Sequence, residues 1–180
     1  MSDKRLVLLS CCAPCSCGAI RQLAENKIPN VSEFVVLFYN PNIYPMDEYQ
    51  KRLDEQIKYC ESLGVACVAL DYDHDAWLDY VRGLESAPER GDRCSKCFEY
   101  RFRYGLKWAQ DNGFNAIASV LGISRYKNQD QVDSAALSAI GNASVEYLPI
   151  QWDMDLYTST NREADFYRQK YCGCEFSIRK

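Results

Sequence analysis

Histidine is nearly missing from these 180 residues: His74 is the single one. A histidine-caged zinc hydrolase therefore has too few ligands, and a Ser-His-Asp triad would have to use that one ring. His74 lies in Asp71-Tyr72-Asp73-His74-Asp75, which reads as an exposed helix start with a solvated histidine. The sequence has no GxxxxGK(S/T) phosphate loop and no GxGxxG dinucleotide turn, which removes two common nucleotide-binding devices. No run approaches the ~20 apolar residues that span a bilayer. Met1-Ser2-Asp3-Lys4-Arg5 leads into only four consecutive aliphatic residues before Ser10, too few for a signal peptide. Repeats, low-complexity tracts and linkers are also missing. The formal charge of −4 argues against a general basic coat for nucleic acid, though a local basic patch is still allowed. The expectation is a cytoplasmic protein with no membrane partner.

What is present is cysteine, ten of them. A reducing cytosol disfavours structural disulfides, so clustered cysteines there point to metal ligands or redox groups. The rest of the composition, 47% hydrophobic and 26% charged, is that of one ordinary globular domain over residues 1–180. Cys60 in a helical pattern and Cys67 in an apolar run read as small packing residues. The other eight fall in short-spaced groups: Cys11-Cys12-Ala13-Pro14-Cys15-Ser16-Cys17, Cys94-Ser95-Lys96-Cys97 and Cys172-Gly173-Cys174.

Apolar runs alternate with helical patterns, which predicts an α/β fold: one doubly wound, mostly parallel sheet. Strands are expected at Arg5–Ser10, Glu33–Tyr39, Val65–Leu70, Ala116–Val120 and Val145–Leu148. Helices are expected at Cys15–Asn26, Asp47–Leu63 (with Asp47 as N-cap and Gly64 as stop), around Trp77, at Ser95–Asn112, up to Ile140, and near Arg162–Lys170. Such sheets bind ligands beyond the carboxyl ends of their strands. Cys11-Cys12, Asn40-Pro41-Asn42 and the Ser119–Asn128 stretch all fall at such ends, so a cysteine-rich metal site is expected on that rim.

Cys94-x-x-Cys97 opens a helix, where free N–H groups and the dipole favour thiolates. On spacing alone it is half a zinc site, half an iron–sulfur site or a thioredoxin-like dithiol. The last fits poorly, because the motif follows a long loop and not the first strand. Adjacent strand residues face opposite ways, so a joint role for Cys11 and Cys12 needs the irregular backbone that Pro14 helps enforce. Four thiolates from the two elements suit tetrahedral zinc or a [4Fe–4S] cluster. Cys15 or Cys17, more naturally Cys15, is a further ligand, a free thiol or a packing residue. In Cys172-Gly173-Cys174 a disulfide would be strained and easily reduced, as suits an electron relay; the alternatives are two ligands for a second metal, or two surface thiols. Phe98, Phe102 and Leu106 recur at helical spacing and are expected in the core. Arg93, Lys96, Arg101, Arg103 and Lys107 beside them form a solvated face or contact phosphates, with the solvated face preferred, and Arg125, Tyr126 and Lys127 sit in a rim loop better suited to phosphate contact.

The chain resembles the epoxyqueuosine reductase family of the QueH type. The resemblance rests on Cys11-Cys12-Ala13-Pro14-Cys15, Phe38-Tyr39-Asn40-Pro41-Asn42-Ile43, Cys94-x-x-Cys97, Tyr126-Lys127-Asn128 and Arg168-Gln169-Lys170-Tyr171-Cys172-Gly173-Cys174. It implies a Rossmann-like, HUP-like domain that reduces the epoxide of a modified tRNA wobble base to an alkene. It also implies a [4Fe–4S] cluster on Cys11, Cys12, Cys94 and Cys97, with Cys172 and Cys174 as a redox-active pair. An additional mononuclear iron or zinc is implied, for which Cys15 and the terminal pair compete. The partners would be tRNA carrying epoxyqueuosine and a separate electron donor. Rim position suggests Asn40, Asn42, Tyr44, Arg125 and Lys127 for substrate contact. A zinc-stabilised nucleic-acid-binding module and a thiol–disulfide oxidoreductase are the alternative readings.

Overall fold

Leu6-Val7-Leu8-Leu9 has no solvent exposure, and that follows from its place at the centre of the sheet. The computed structural model describes residues 3–178; Met1, Ser2, Arg179 and Lys180, the outermost positions of the expected domain, lie outside the described residues. The strands are β1 (Lys4–Ser10), β2 (Val31–Phe38), β3 (Cys67–Ala69), β4 (Ala116–Ser119) and β5 (Glu146–Tyr147). They pair in the order β3-β2-β1-β4-β5, every pair parallel. The helices are α1 (Ala13–Ala24), α2 (Met46–Ser62), α3 (His74–Tyr80), α4 (Asp92–Asp111), α5 (Gln129–Ile140) and α6 (Met154–Glu163).

Both faces of the sheet are covered, which is why β1 is continuously apolar rather than alternating. Alternate residues of β1 show which helix covers which face. The Oγ of Ser10 donates to Gln56 Oε1 of α2 at 2.7 Å. On the other face, a Cβ at Gly105 of α4 would lie 3.1 Å from Ile117 Cδ1 and 3.8 Å from side-chain carbons of Leu9 and Leu37. A glycine there lets α4 settle directly on the sheet. Helices α1, α2 and α6 pack together, as do α3, α4 and α5. Phe98, Phe102 and Leu106 of α4 are buried as expected, each contributing roughly 1.5–3 kcal/mol. Strand order reverses between β1 and β4, so the loops that leave these two strands diverge and open a crevice.

The expected α/β class is met, with four local corrections. Helix α2 starts at Met46 after Pro45, so Asp47 lies in its first turn, where a carboxylate favours the helix dipole, and is not the N-cap. Helix α4 starts three residues earlier than expected, which puts Cys94 inside its first turn. The last helix is Met154–Glu163 instead of Arg162–Lys170, because Asp153 caps it by accepting from the backbone N–H groups of Asp155 and Leu156. Beyond it, Arg168 turns back to donate to Asn161. His74 is not a solvated residue. It stacks between Tyr44 and Trp77, its Nδ1 lies 2.7 Å from the Pro41 carbonyl oxygen, and its Nε2 lies 3.3 Å from Glu175. Among the described residues, no helix is long and apolar enough to cross a membrane.

Candidate metal centre

At the end of β1 the chain bends at Cys11, and Cys12 occupies the position before α1 in extended conformation. Pro14 sits in the first turn of α1, where its missing N–H costs nothing. The bend brings two neighbouring side chains to one side: Cys11 Sγ and Cys12 Sγ are 3.8 Å apart. Cys15, one turn into α1, joins them, and the three sulfurs lie within 4.8 Å of one another, all buried. Gln56 fixes the turn from behind, accepting from both Ser10 and Ser16. The three sulfurs form a metal-competent group at a helix N-terminus.

Lys127 approaches this group from the loop after β4; its Nζ donates to Cys11 Sγ at 3.4 Å. Bonds from the Cys12 and Cys15 thiols, then the charges of Lys127 and Arg101, hold the Cys11 thiol well below its usual value despite burial. The hydrogen bond to Cys11 pushes Cys12 up to about 12 and likewise raises Cys15. Of the three thiols, Cys11 is thus the one that gives up its proton most readily. Burial works against the charge on Lys127, but the Cys11 and Cys172 sulfurs outweigh it and hold the ammonium above its usual value.

Lys127 also borders a second group of sulfurs. Cys94, Cys97, Cys172 and Cys174 line one cavity together with Lys127, Trp77, Arg93 and Arg101. Its free space is about 20 Å³, room for one atom or a water-sized group. Cys94 accepts from the Arg90 backbone N–H at 3.3 Å. Burial raises the Cys94 thiol, pushes Cys97 up to about 11 and pushes Cys174 up to about 12. The terminal segment is pinned in place: Arg52 donates to the carbonyls of Tyr171 and Cys172, Tyr44 N–H donates to Gly173, and Cys174 bridges to Ile43. Four buried polar atoms without a partner belong to residues of this cavity: Trp77 Nε1, Arg93 Nε, Asn42 Oδ1 and Gln131 Oε1. A cavity lined by thiols, with unspent donors and acceptors, fits a metal centre whose sulfurs accept hydrogen bonds and whose charge meets Arg and Lys.

The cysteine groups expected at the rim are therefore gathered around Lys127, as a close triad of Cys11, Cys12 and Cys15 and a cavity with the other four. Cys17 points away and packs with Ala13 and Phe166. Cys60 is buried under Gln56, and Cys67 is half-buried. Asn40 is buried and fully engaged, its Nδ2 donating to Ser10 O and its Oδ1 accepting from Arg101. Asn42 faces the sulfur cavity, while Tyr44 and Arg125 are exposed. Lys127 is buried, not displayed on the loop. Arg93 and Arg101, expected on a solvated face, are 2% and 1% exposed, whereas Lys96, Arg103 and Lys107 do face solvent. A signal for the two buried arginines existed. Arg93 lies four residues before Cys97 and Arg101 four after, so they share its helix face. Trp77 and Gln131 carried no comparable signal.

A family model described as Epoxyqueuosine reductase QueH matches residues 6–180. The chain is 36% identical to Epoxyqueuosine reductase QueH from Acinetobacter baylyi, covering 97% of this chain and 81% of that protein. It is 38% identical to Epoxyqueuosine reductase QueH from Haemophilus influenzae, covering 97% of this chain and 72% of that one. Among solved structures, the U34-tRNA thiolase NcsA from Methanococcus maripaludis with its [4Fe-4S] cluster aligns with a TM-score of 0.61 at 16% identity, over 99% of this chain and 63% of that one. At that identity the likeness is one of fold.

Proposed function

Because the chain belongs to the epoxyqueuosine reductase QueH family, we propose that it reduces epoxyqueuosine to queuosine at the wobble position of a tRNA anticodon, the last step in making queuosine. Both epoxide C–O bonds break, a C=C bond forms, and the oxygen leaves as water. The change consumes two electrons, from a separate donor, and two protons. The reading places a single cytoplasmic domain over residues 1–180. The observation that carries the site is Lys127, which touches Cys11 and also lines the cavity of Cys94, Cys97, Cys172 and Cys174.

In this reading Cys11, Cys12, Cys94 and Cys97 would hold a [4Fe–4S] cluster, for which the lining side chains must move apart because the space between them takes about one atom; Cys172 and Cys174 are the redox-active pair, and Cys15 or the terminal pair would hold an additional mononuclear iron or zinc. Bound there, the cluster would supply electrons singly and the mononuclear ion would act as a Lewis acid. The chain's own residues do the rest. Lys127 keeps its proton, so a fixed positive charge faces the negative charge that develops on the departing oxygen. Asn42 offers an unspent acceptor to the substrate's polar group. Asn40 acts indirectly, by holding the turn on Ser10 and Arg101, and Tyr44 and Arg125 meet the RNA outside.

The test is iron and sulfide analysis of anaerobically purified protein, coupled to turnover of tRNA carrying the epoxide. A brown, iron- and sulfide-containing protein that turns over, and a Cys94→Ala variant that loses both colour and turnover, supports the reading. Colourless protein with stoichiometric zinc favours a nucleic-acid-binding module, and a metal-free protein cycling one disulfide favours a thiol oxidoreductase. Full turnover by Cys94→Ala rejects the ligand set.

A further inference from the structure

Beside the sulfur cavity lies a wider one of about 570 Å³, lined by Glu89, Arg125, Tyr126, Tyr167, Lys170 and Tyr171 among others. The two share a wall. Tyr126 belongs to both, Glu89 faces the wide cavity while Arg90 faces the sulfurs, and Tyr171 faces the wide cavity while Cys172 faces the sulfurs. The sulfur cavity admits about one atom and the wide cavity falls within the ~300–1,000 Å³ usual for small-molecule sites. A nucleobase fits only the outer one.

The lining also suits a nucleotide. Single-stranded RNA is read by aromatic faces on which unstacked bases lie, and by Arg and Lys at its phosphates. Three tyrosines and two cations meet here in a chain whose net charge is −4, so the basic character is local. Arg125 and Lys170 are exposed, and neither forms an ion pair among the described residues. Tyr126 is held in place: its hydroxyl donates to the Lys170 carbonyl at 2.9 Å and accepts from Arg125 at 2.9 Å, with the guanidinium 5.0 Å from its ring centre. Glu89 also lines the cavity and repels phosphate, so Arg125 and Lys170 are the groups there that can meet the RNA backbone.

We propose that this outer cavity is the chamber of the unstacked wobble nucleotide. The base stacks on Tyr126 and Tyr167, its phosphates meet Arg125 and Lys170, and its substituent is turned toward the sulfur cavity across Tyr126. Tyr126 is thereby a positioning residue that sets how close the base comes to the sulfurs. The inference rests on the reductase reading for the identity of the nucleotide, and on the two cavities for its place.

The experiment uses the anaerobically purified, metal-loaded protein and an RNA hairpin of anticodon-arm sequence with 4-thiouridine at the wobble position. Irradiation should crosslink that base to Tyr126, Tyr167 or Tyr171. Tyr126→Ala and Tyr167→Ala should each weaken hairpin binding about tenfold, or ~1.4 kcal/mol; Tyr167→Phe should restore it, and Tyr126→Phe, which keeps the ring but loses the hydroxyl bonds to Arg125 and Lys170, should restore it in part. With epoxide-bearing tRNA, Tyr167→Ala should raise KM and spare kcat. Crosslinks confined to other surfaces, or wild-type binding by both alanine variants, overturns the proposal even if turnover is intact. Crosslinks in the chamber without any epoxide reduction would keep the chamber as an RNA site and remove the reductase reading.

Discussion

Replacing Arg101 by Met removes one of the charges that organise the rim, and the size of the effect follows from what it touches. The guanidinium is 1% exposed. Its Nε donates to the Tyr39 carbonyl at 3.1 Å and its Nη2 donates to Asn40 Oδ1. Arg101→Met leaves both buried acceptors without a donor, at ~1.5–3 kcal/mol for each hydrogen bond to a charged group. Part of this is returned, because the folded protein no longer buries a cation. The net loss is about 3 kcal/mol; at a urea slope of ~2 kcal/mol per molar, the midpoint falls by roughly 1.5 M. The assay is urea unfolding under anaerobic, chelating conditions, so that no metal contributes. Arg101→Lys keeps the charge facing Cys11 and Cys97 but lacks the planar fork, and its midpoint should fall between the two. A midpoint for Arg101→Met within about 0.3 M of wild type would mean under ~0.6 kcal/mol, and would refute the claim that this side chain holds the Tyr39–Asn40 turn.

Arg52→Met breaks the buried pair with Glu48 and frees the Tyr171 and Cys172 carbonyls, so it should cost ~3–5 kcal/mol and speed hydrogen exchange at the Tyr44 amide; unchanged exchange there would separate Arg52 from the terminal segment. Gly173 has φ +114°, and a Cβ there would lie 2.9 Å from Arg52 Nη1 and 3.0 Å from Ile43 Cγ1, so Gly173→Ala should destabilise by ~1–3 kcal/mol; a wild-type melting temperature argues against this geometry. Cys12, Cys97 and Cys174, with values near 12, 11 and 12, are protonated at neutral pH. A divalent ion must displace those protons, so affinity for Co²⁺ as a probe should fall as pH is lowered from about 8 to 6; flat affinity would show that these thiols are not ligands.

Much of the architecture was legible because it depends on local pattern. Four aliphatic residues that stop at Ser10 before a turn read as a short strand buried on both faces, and Asn40-Pro41-Asn42 ends β2 as such a turn should. Strand ends placed Cys11-Cys12, Asn40-Pro41-Asn42 and the Ser119–Asn128 stretch on one rim; nothing of that kind placed Cys94, Cys97, Cys172 and Cys174 beside them. What escaped were properties set by long-range packing. Whether Arg101 meets water or a turn 61 residues away depends on how α4 lies over the sheet. Likewise, His74 looks exposed in a run of aspartates until Tyr44, Pro41 and Glu175 arrive from elsewhere. Helix α6 was misplaced because its start is set by the Asp153 cap while its apolar pattern is weak.

The buried cations explain why so many sulfurs belong together here. Arg93, Arg101 and Lys127 are 2%, 1% and 9% exposed, and none has a carboxylate partner among the described residues. Arg93 spends its guanidinium on the carbonyls of Leu84, Glu85 and Ala87, and Arg101 on Tyr39 and Asn40. Carbonyls satisfy hydrogen bonds but leave the charge uncompensated, and an uncompensated buried charge costs several kcal/mol. In an acidic chain, carboxylates were available and were not placed here. The groups that face these cations are thiols, of which one, Cys11, is held well below its usual value by its neighbours. Each further thiol that loses its proton to a metal adds a negative charge beside a cation already in position, so ligation and charge compensation reinforce one another. The same three cations would be a liability around a neutral dithiol, and that asymmetry favours an anionic, thiolate-bound centre.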